Sequence, residues 1–212
     1  MRRLLSVLCS LLIAAALLSG AIAVPLLIRP FYYAQIKPLG IPEACGLTAE
    51  AVREAYDEVL DYCLGRRSVF SAGVLPFSEE GASHFADVRS LFLLDLRVFG
   101  ISAALLLLLA LFARRRIHRF GGRAPGFYSA CGLGGLFLLI AVPFALDFHG
   151  TFAVFHHIFF PGKDNWLLNP HDDPVILILP EQFFLRCGAL ILALLLLGCT
   201  ALLVTGRRKR PR

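Results

Sequence analysis

The chain has 212 residues, of which 58% are apolar and 17% charged, with a formal net charge of +6. A soluble domain of this length distributes its charges along the chain, whereas here they fall in short blocks between long uncharged stretches, which excludes an ordinary soluble fold. The basic excess flanks apolar stretches, where it serves membrane topology and lipid headgroups and calls for no nucleic acid.

A bilayer core about 30 Å thick needs roughly 20 apolar residues as a helix. Four stretches qualify: residues 4–28, 93–113, 127–146 and 183–205. They predict an all-α membrane protein. Its expected architecture is a four-transmembrane-helix bundle in one membrane domain, 1–212, with a small extracytoplasmic cap. The first stretch has a rival reading, because Met1-Arg2-Arg3, an apolar run and Ala21-Ile22-Ala23 resemble a signal peptide and its cleavage site. The run continues through Val24-Pro25-Leu26-Leu27-Ile28, however, which favours a retained helix.

Beyond it, Pro30-Phe31-Tyr32-Tyr33 places aromatics at the level of the headgroups. Pro38, Gly40 and Pro42 break any helix, and Thr48 is placed to cap a new one. Val52, Ala55, Tyr56, Val59 and Cys63 then recur at helical spacing, so residues 49–64 read as an amphipathic helix stopped by Gly65. A loop follows. From about Ala82 the chain enters the helix of the second span, on which His84, Asp87, Leu91 and Asp95 share one face. His84 is expected just above the bilayer surface, with Asp87 one turn below to hold its ring or receive a proton. Asp95 and Arg97 lie near the edge of the lipid core, where charge is costly, and are expected to pair with other spans.

Orientation follows from the basic blocks. Arg2 and Arg3, Arg114, Arg115, Arg116, Arg119 and Arg123, and Arg207, Arg208, Lys209, Arg210 and Arg212 account for twelve of 21 basic residues on one side, with none of the 15 acidic ones. That side is cytoplasmic by the positive-inside bias. Both termini are then inside, and residues 29–90 and 147–182 face outward.

From Phe148 to Phe184, across the second outer segment and into the last span, the chain carries His149, His156, His157 and His171, seven Phe and the only Trp, Trp166. Its β-branched run, Val175 to Leu179, predicts a short strand, and Pro180 suits the first turn of the last span. Such Phe-rich segments commonly anchor a protein at the interface. Several imidazoles among them add the capacity to exchange protons near neutral pH. Of the six Cys, only Cys45 and Cys63 lie in an outer segment, and the helix between them holds them too far apart for a disulfide.

Gly-x-Ser-x-Gly, P-loop and dinucleotide motifs are missing, and no Cys stands beside an outward His. What remains is two His from different segments at the outer face. Such a pair suits general acid–base catalysis. It equally suits a metal-dependent membrane hydrolase using His84, Asp87, His156 and possibly His157; neighbouring residues point apart, so His156 and His157 do not serve one centre equally. A membrane assembly protein in which these residues merely pack is the non-enzymatic alternative.

At these residues the chain resembles the lipoprotein intramolecular transacylases, a family of small bacterial membrane enzymes. The resemblance rests on Phe77-Ser78 followed by His84-x-x-Asp87-Val88. It rests also on Phe155-His156-x-x-Phe159-Phe160, followed by Trp166, the Val175–Leu179 run and Pro180-x-x-Phe183-Phe184. Phe85 departs from the Met or Leu expected after the first His, and the choice of His156 over His157 rests on the register of the second motif. The resemblance implies transfer of the sn-2 acyl chain of a diacylglyceryl lipoprotein to the α-amine of its own N-terminal Cys, giving a lyso-form lipoprotein. It implies His84 and His156 as the catalytic pair, a diacylated lipoprotein and membrane lipid as partners, and neither cofactor nor metal. Ester to amide is downhill, so no nucleotide is required. On this reading His156 is the base on the amine and His84, oriented by Asp87, stabilises or protonates the oxyanion, with the two roles exchangeable. Phe155, Phe159, Phe160 and Trp166 wall the site and exclude water.

Overall fold

The computed structural model describes residues 2–207. Arg208, Lys209, Arg210 and Arg212 of the last basic block lie outside the described residues. In chain order the helices are α1 (Arg2–Leu27), α2 (Arg29–Tyr33), α3 (Ile41–Cys45), α4 (Ala49–Cys63), α5 (Glu79–Leu108), α6 (Pro125–Leu146), α7 (Phe148–Phe159), α8 (Val175–Ile178) and α9 (Glu181–Gly206). α5 runs on through a π turn, Leu109–Ala113. Four helices are long and apolar enough to cross a membrane: α1, α5 with its π turn, α6 and α9. Each contains one of the apolar stretches read from the sequence, except that α1 stops one residue before the end of the first, at Leu27. A helix satisfies its backbone internally, which is what lipid demands; Pro25 in α1 and Pro143 in α6 each remove one such bond and are accommodated within otherwise continuous helices. α5 begins at Glu79, well before its apolar stretch starts at Leu93, so its first turns carry polar chemistry.

Two compact units divide the chain. One comprises Met1–Ala23, Asp95–Ala145 and Leu190–Arg212. Its centre is Ala130, Leu133 and Cys199, packed by Ala14, Leu17, Leu18, Leu202 and Leu203. Small residues let these helices approach: a Cβ on Gly126 would meet Leu202 at 2.9 Å. Hydroxyls tie the helices where apolar contact cannot. Ser129 Oγ donates to Ser10 O at 2.6 Å, and His118 N donates to Ser6 Oγ at 2.7 Å. The expected interhelical partner of Asp95 is Ser19, which hydrogen-bonds its carboxylate.

The other unit comprises Val24–Leu94 and Leu146–Ala189. Thr48 caps α4 by accepting from Ala51 N at 3.2 Å, and Gly65, at φ +74°, takes the left-handed conformation that ends it. The apolar face foreseen for α4 is buried, including Val52, Ala55, Tyr56, Val59 and Cys63. It covers Tyr32, which the sequence suggested for the headgroup level and which is instead completely buried. The helical turn of α2 directs this ring inward, where it stacks on Tyr56 with centroids 3.6 Å apart and donates its hydroxyl to Ile178 O at 2.6 Å. Burial of a phenol requires such a partner. On the outer side of α4, Arg29 bridges Asp57 at 2.8 Å and also pairs with Asp61, while Tyr33 donates to Asp57 at 2.7 Å.

The strand expected at Val175 to Leu179 is a helical turn, α8, and among the described residues no strand occurs beyond an isolated bridge between Phe120 and Arg123. No neighbouring edge is present to complete a ladder. The backbone groups bond locally instead, Ile176 N to Asp173 O at 3.1 Å and Leu177 N to Pro174 O at 2.9 Å. All six Cys are free, Cys45 and Cys63 among them.

Candidate active site

His84 stands in the second turn of α5, and the start of that helix is held in a defined way. Ser78 Oγ accepts from Gly81 N at 2.9 Å as a cap and donates to Asp173 Oδ2 at 2.7 Å, while Ser78 N donates to Asp173 Oδ1 at 2.8 Å. Asp173 is only 3% exposed. Any side chain at position 81 would run into its carboxylate, so glycine is required by the close approach. A carboxylate at the positive end of a helix is also electrostatically favoured.

His156 lies in the last turn of α7, which is opened by Asp147 accepting from Gly150 N at 2.9 Å. Its Nδ1 sits 2.7 Å from Phe152 O, one helical turn back. A carbonyl only accepts, so Nδ1 carries the proton in the neutral ring and Nε2 keeps its lone pair.

The two imidazoles meet with ring centroids 5.8 Å apart and planes inclined by 35°. They are 7% and 6% exposed respectively. Phe160 lies edge-on to His84 at 5.3 Å and beside His156 at 5.7 Å. Trp166 is stacked on His156 at 4.6 Å, and Phe152 approaches the same ring to 4.3 Å. Phe155 meets His156 edge-on at 5.4 Å but is half exposed, and Phe159, also half exposed, packs at a tilt against Phe155 rather than against the imidazoles. Phe85, the departure from the motif, is accommodated by stacking on Phe70 at 4.7 Å.

Burial is the chief cause of the electrostatics. Taking His84 out of water pushes its pKa down to about 4; the adjacent His156 adds to the depression and the Asp87 charge opposes it. His84 lies nine residues before the apolar stretch of α5, in the compact unit centred on α4. Its Nδ1 is buried without a hydrogen-bond partner. His156 is likewise held below the ordinary imidazole value, by burial first, against the opposing bond to Phe152 O. Both rings are therefore neutral near pH 7.

Asp87 does not bond to His84. Its oxygens accept from Lys163 Nζ at 2.6 and 2.8 Å and from Asn165 Nδ2 at 3.1 Å. Together with burial opposing them, these bonds leave its carboxyl pKa below the ordinary value. Of the remaining imidazoles in the second segment, His157 is exposed and lies edge-on to Trp166 at 5.4 Å. His149 and His171 pair with Glu181 and Asp172 on the surface, at 3.3 and 3.0 Å. Among the described residues, no group of three or more His, Cys, Asp or Glu is placed to hold a metal ion.

Sequence reasoning missed Phe152, Lys163 and Asn165. Phe152 was legible in principle, since position i−4 on a helix faces the His it supports. Lys163 and Asn165 carry no local signal, because their partner lies 76 and 78 residues away.

Four helices able to span a bilayer, with a buried pair of imidazoles in the second unit, define a multi-pass integral membrane protein. The profile of the lipoprotein intramolecular transacylase family, Lit, matches residues 7–184, and the chain belongs to that family. Its fold is similar to that of the membrane-integral Lit from Bacillus cereus, solved in meso: TM-score 0.87, 23% identity, covering 97% of this chain and 94% of that one. Two further structures of the same relative, one with a histidine replaced by arginine and one by alanine, superpose at TM-score 0.79 with 23% identity. They cover 97% of this chain and 90% and 91% of theirs. No curated protein sequence matches the chain.

Proposed function

We propose that the protein moves the sn-2 acyl chain of a diacylglyceryl lipoprotein to the α-amine of the same molecule's N-terminal Cys, with His84 and His156 as its catalytic pair. The observation carrying this reading is the pair itself: two neutral imidazoles from separate segments, 5.8 Å apart in an aromatic enclosure. That two structures of the Bacillus cereus relative carry a substituted histidine is in keeping with a histidine role.

The complementary surroundings of the rings favour one division of labour. His156 donates Nδ1–H to Phe152 O and so offers the Nε2 lone pair as general base. His84 has an unpartnered Nδ1, and an orphaned acceptor costs less than an orphaned donor, so its proton belongs on Nε2. That N–H is the natural donor to an oxyanion. The substrate amine attacks the ester carbonyl carbon and a C–N bond forms as His156 takes the amine proton. The negative oxygen of the tetrahedral intermediate is stabilised by His84, with Asp87 favouring any positive charge that develops on that ring. The C–O bond then breaks, and the glyceryl oxygen receives the proton from His156. Charges and atoms balance without a cofactor.

A free α-amine titrates near 8, but its nitrogen becomes far more acidic once bonded to the carbonyl carbon, so an imidazole held below the ordinary 6.5 can still take its proton. Both reacting groups belong to one substrate, and holding them in near-attack geometry supplies about 7–11 kcal/mol. Phe155, Phe159, Phe160 and Trp166 serve as the substrate wall and keep water from the ester. The distribution of basic residues supports cytoplasmic termini and an extracytoplasmic site.

The test uses purified protein in detergent and a diacylated lipopeptide. Transfer is an isomerisation, so intact mass stays constant while fragmentation shows one acyl chain on the Cys amine. Unchanged substrate, or free fatty acid alone, refutes the assignment.

A further inference from the structure

The rings that must touch substrate are 7% and 6% exposed, so something has to move for a substrate to reach them. What covers His156 is Trp166, carried by the connection between α7 and α8. Trp166 is held to that connection from within, its Nε1 donating to Lys163 O at 3.1 Å. The far end of the connection is tied to the α5 cap by Asp173, and its nearer part, from Lys163 to Trp166, is fastened to α5 chiefly through the Asp87 carboxylate. Lys163 Nζ grips both oxygens of Asp87, and Asn165 Nδ2 reaches Asp87 Oδ2 at 3.1 Å and Ser83 Oγ at 3.4 Å. Lys163, Asn165 and Trp166 thus bracket one short strap. Two of them bind the helix bearing His84, and the third lies flat on His156.

We propose that Lys163 and Asn165 are positioning residues, which dock the strap on Asp87 and thereby set Trp166 against His156, closing the site around the substrate. This rests on the transacylase reading and extends it to residues outside the family motifs. Lys163 is half exposed, so its bond to Asp87 can be exchanged for water while the strap lifts. Asp87 thereby has a use that its lack of a bond to His84 would otherwise leave unexplained: it fixes the covering element while its charge still reaches the ring.

Trp166 is the only tryptophan, so intrinsic fluorescence of the full-length protein reports on its docking alone. We compare wild type, Lys163→Ala, Asn165→Ala and the conservative Lys163→Arg in detergent, with circular dichroism to establish folding. The expected result for Lys163→Ala is red-shifted emission, severalfold greater quenching by acrylamide, and about tenfold lower kcat with KM little changed. A larger share of free fatty acid should appear as water enters. Asn165→Ala should show the same changes to a smaller degree, and Lys163→Arg should restore all of them. Unaltered emission and quenching in both alanine variants would overturn the proposal, as would altered emission with unaltered kcat and product ratio. If wild type transfers no acyl chain, the transacylase reading fails, while the fluorescence still decides whether Lys163 and Asn165 hold the strap.

Discussion

Trp166 lies on the face of His156 with centroids 4.6 Å apart and planes only 26° from parallel. The contact joins two features separated in the sequence, a helix-borne imidazole fixed by Phe152 O and an indole on the following connection. Aromatic stacking contributes about 0.5–1.5 kcal/mol beyond burial. Trp166→Leu should accordingly lower the transfer rate by about 3- to 10-fold and raise the proportion of hydrolysis, as measured by fragment-ion analysis of the products.

The register of the second motif is tested by two neighbouring substitutions. His156→Ala should cost about 10²- to 10⁴-fold in kcat, the usual worth of a general base. His157→Ala, at an exposed position, should stay within about twofold, as surface changes do. Equal losses would refute the choice of His156.

His84 is expected to act as a hydrogen-bond donor. His84→Leu should reduce kcat by about 10²- to 10³-fold, the range seen when an oxyanion donor is removed. His84→Asn keeps an N–H and should recover part of that loss. A rise in KM with kcat unchanged in His84→Leu, or no recovery of kcat in His84→Asn, would point to a packing role.

The pH dependence has a defined sign. Burial depresses the pKa of both imidazoles, that of His84 to about 4, so the neutral forms persist below pH 6.5 and the acid limb of kcat should lie on the acid side of that value. Of the groups facing the pair, Asp87 raises the His84 value, while Lys163 lowers that of His84 and the neighbouring His157 that of His156. Stability has the same sense. The unfolded chain takes up the His84 proton near 6.5 and the folded one near 4, so this contribution is complete above 6.5 and declines as the pH falls toward 4. Thermal melts in detergent across this range give the measurement.

Tyr32 tests the packing beneath the site. Its fully buried hydroxyl donates to Ile178 O at 2.6 Å. Tyr32→Phe leaves that carbonyl without its partner and should cost about 1–3 kcal/mol, read as a lower melting temperature.

How far the residues could be read in advance follows the range of the forces involved. The four spans are legible because lipid imposes a length and a composition on every one of them. The α4 helix is legible because burial of one face leaves a period of 3.6, from Val52 to Cys63. His84 and His156 were reachable through the spacing of their local motifs. The run at Val175 was misread because β-branching favours a strand only where another strand supplies an edge. Tyr32 was assigned to the headgroups because nothing nearby in the chain announces that Tyr56 and Ile178 will enclose it. Asp87 was paired with the His one turn away, yet the stronger attraction came from a lysine 76 residues distant.

The unit that holds the imidazoles is assembled from two separated stretches, Val24–Leu94 and Leu146–Ala189, and each donates one of them. During synthesis the ribosome therefore completes the first stretch, with His84, while the partner ring does not yet exist. Neither half of the gene product, expressed by itself, holds both imidazoles. Co-expressed halves, cut within residues 117–124, give a direct complementation assay in which chemistry appears only when both fragments are made.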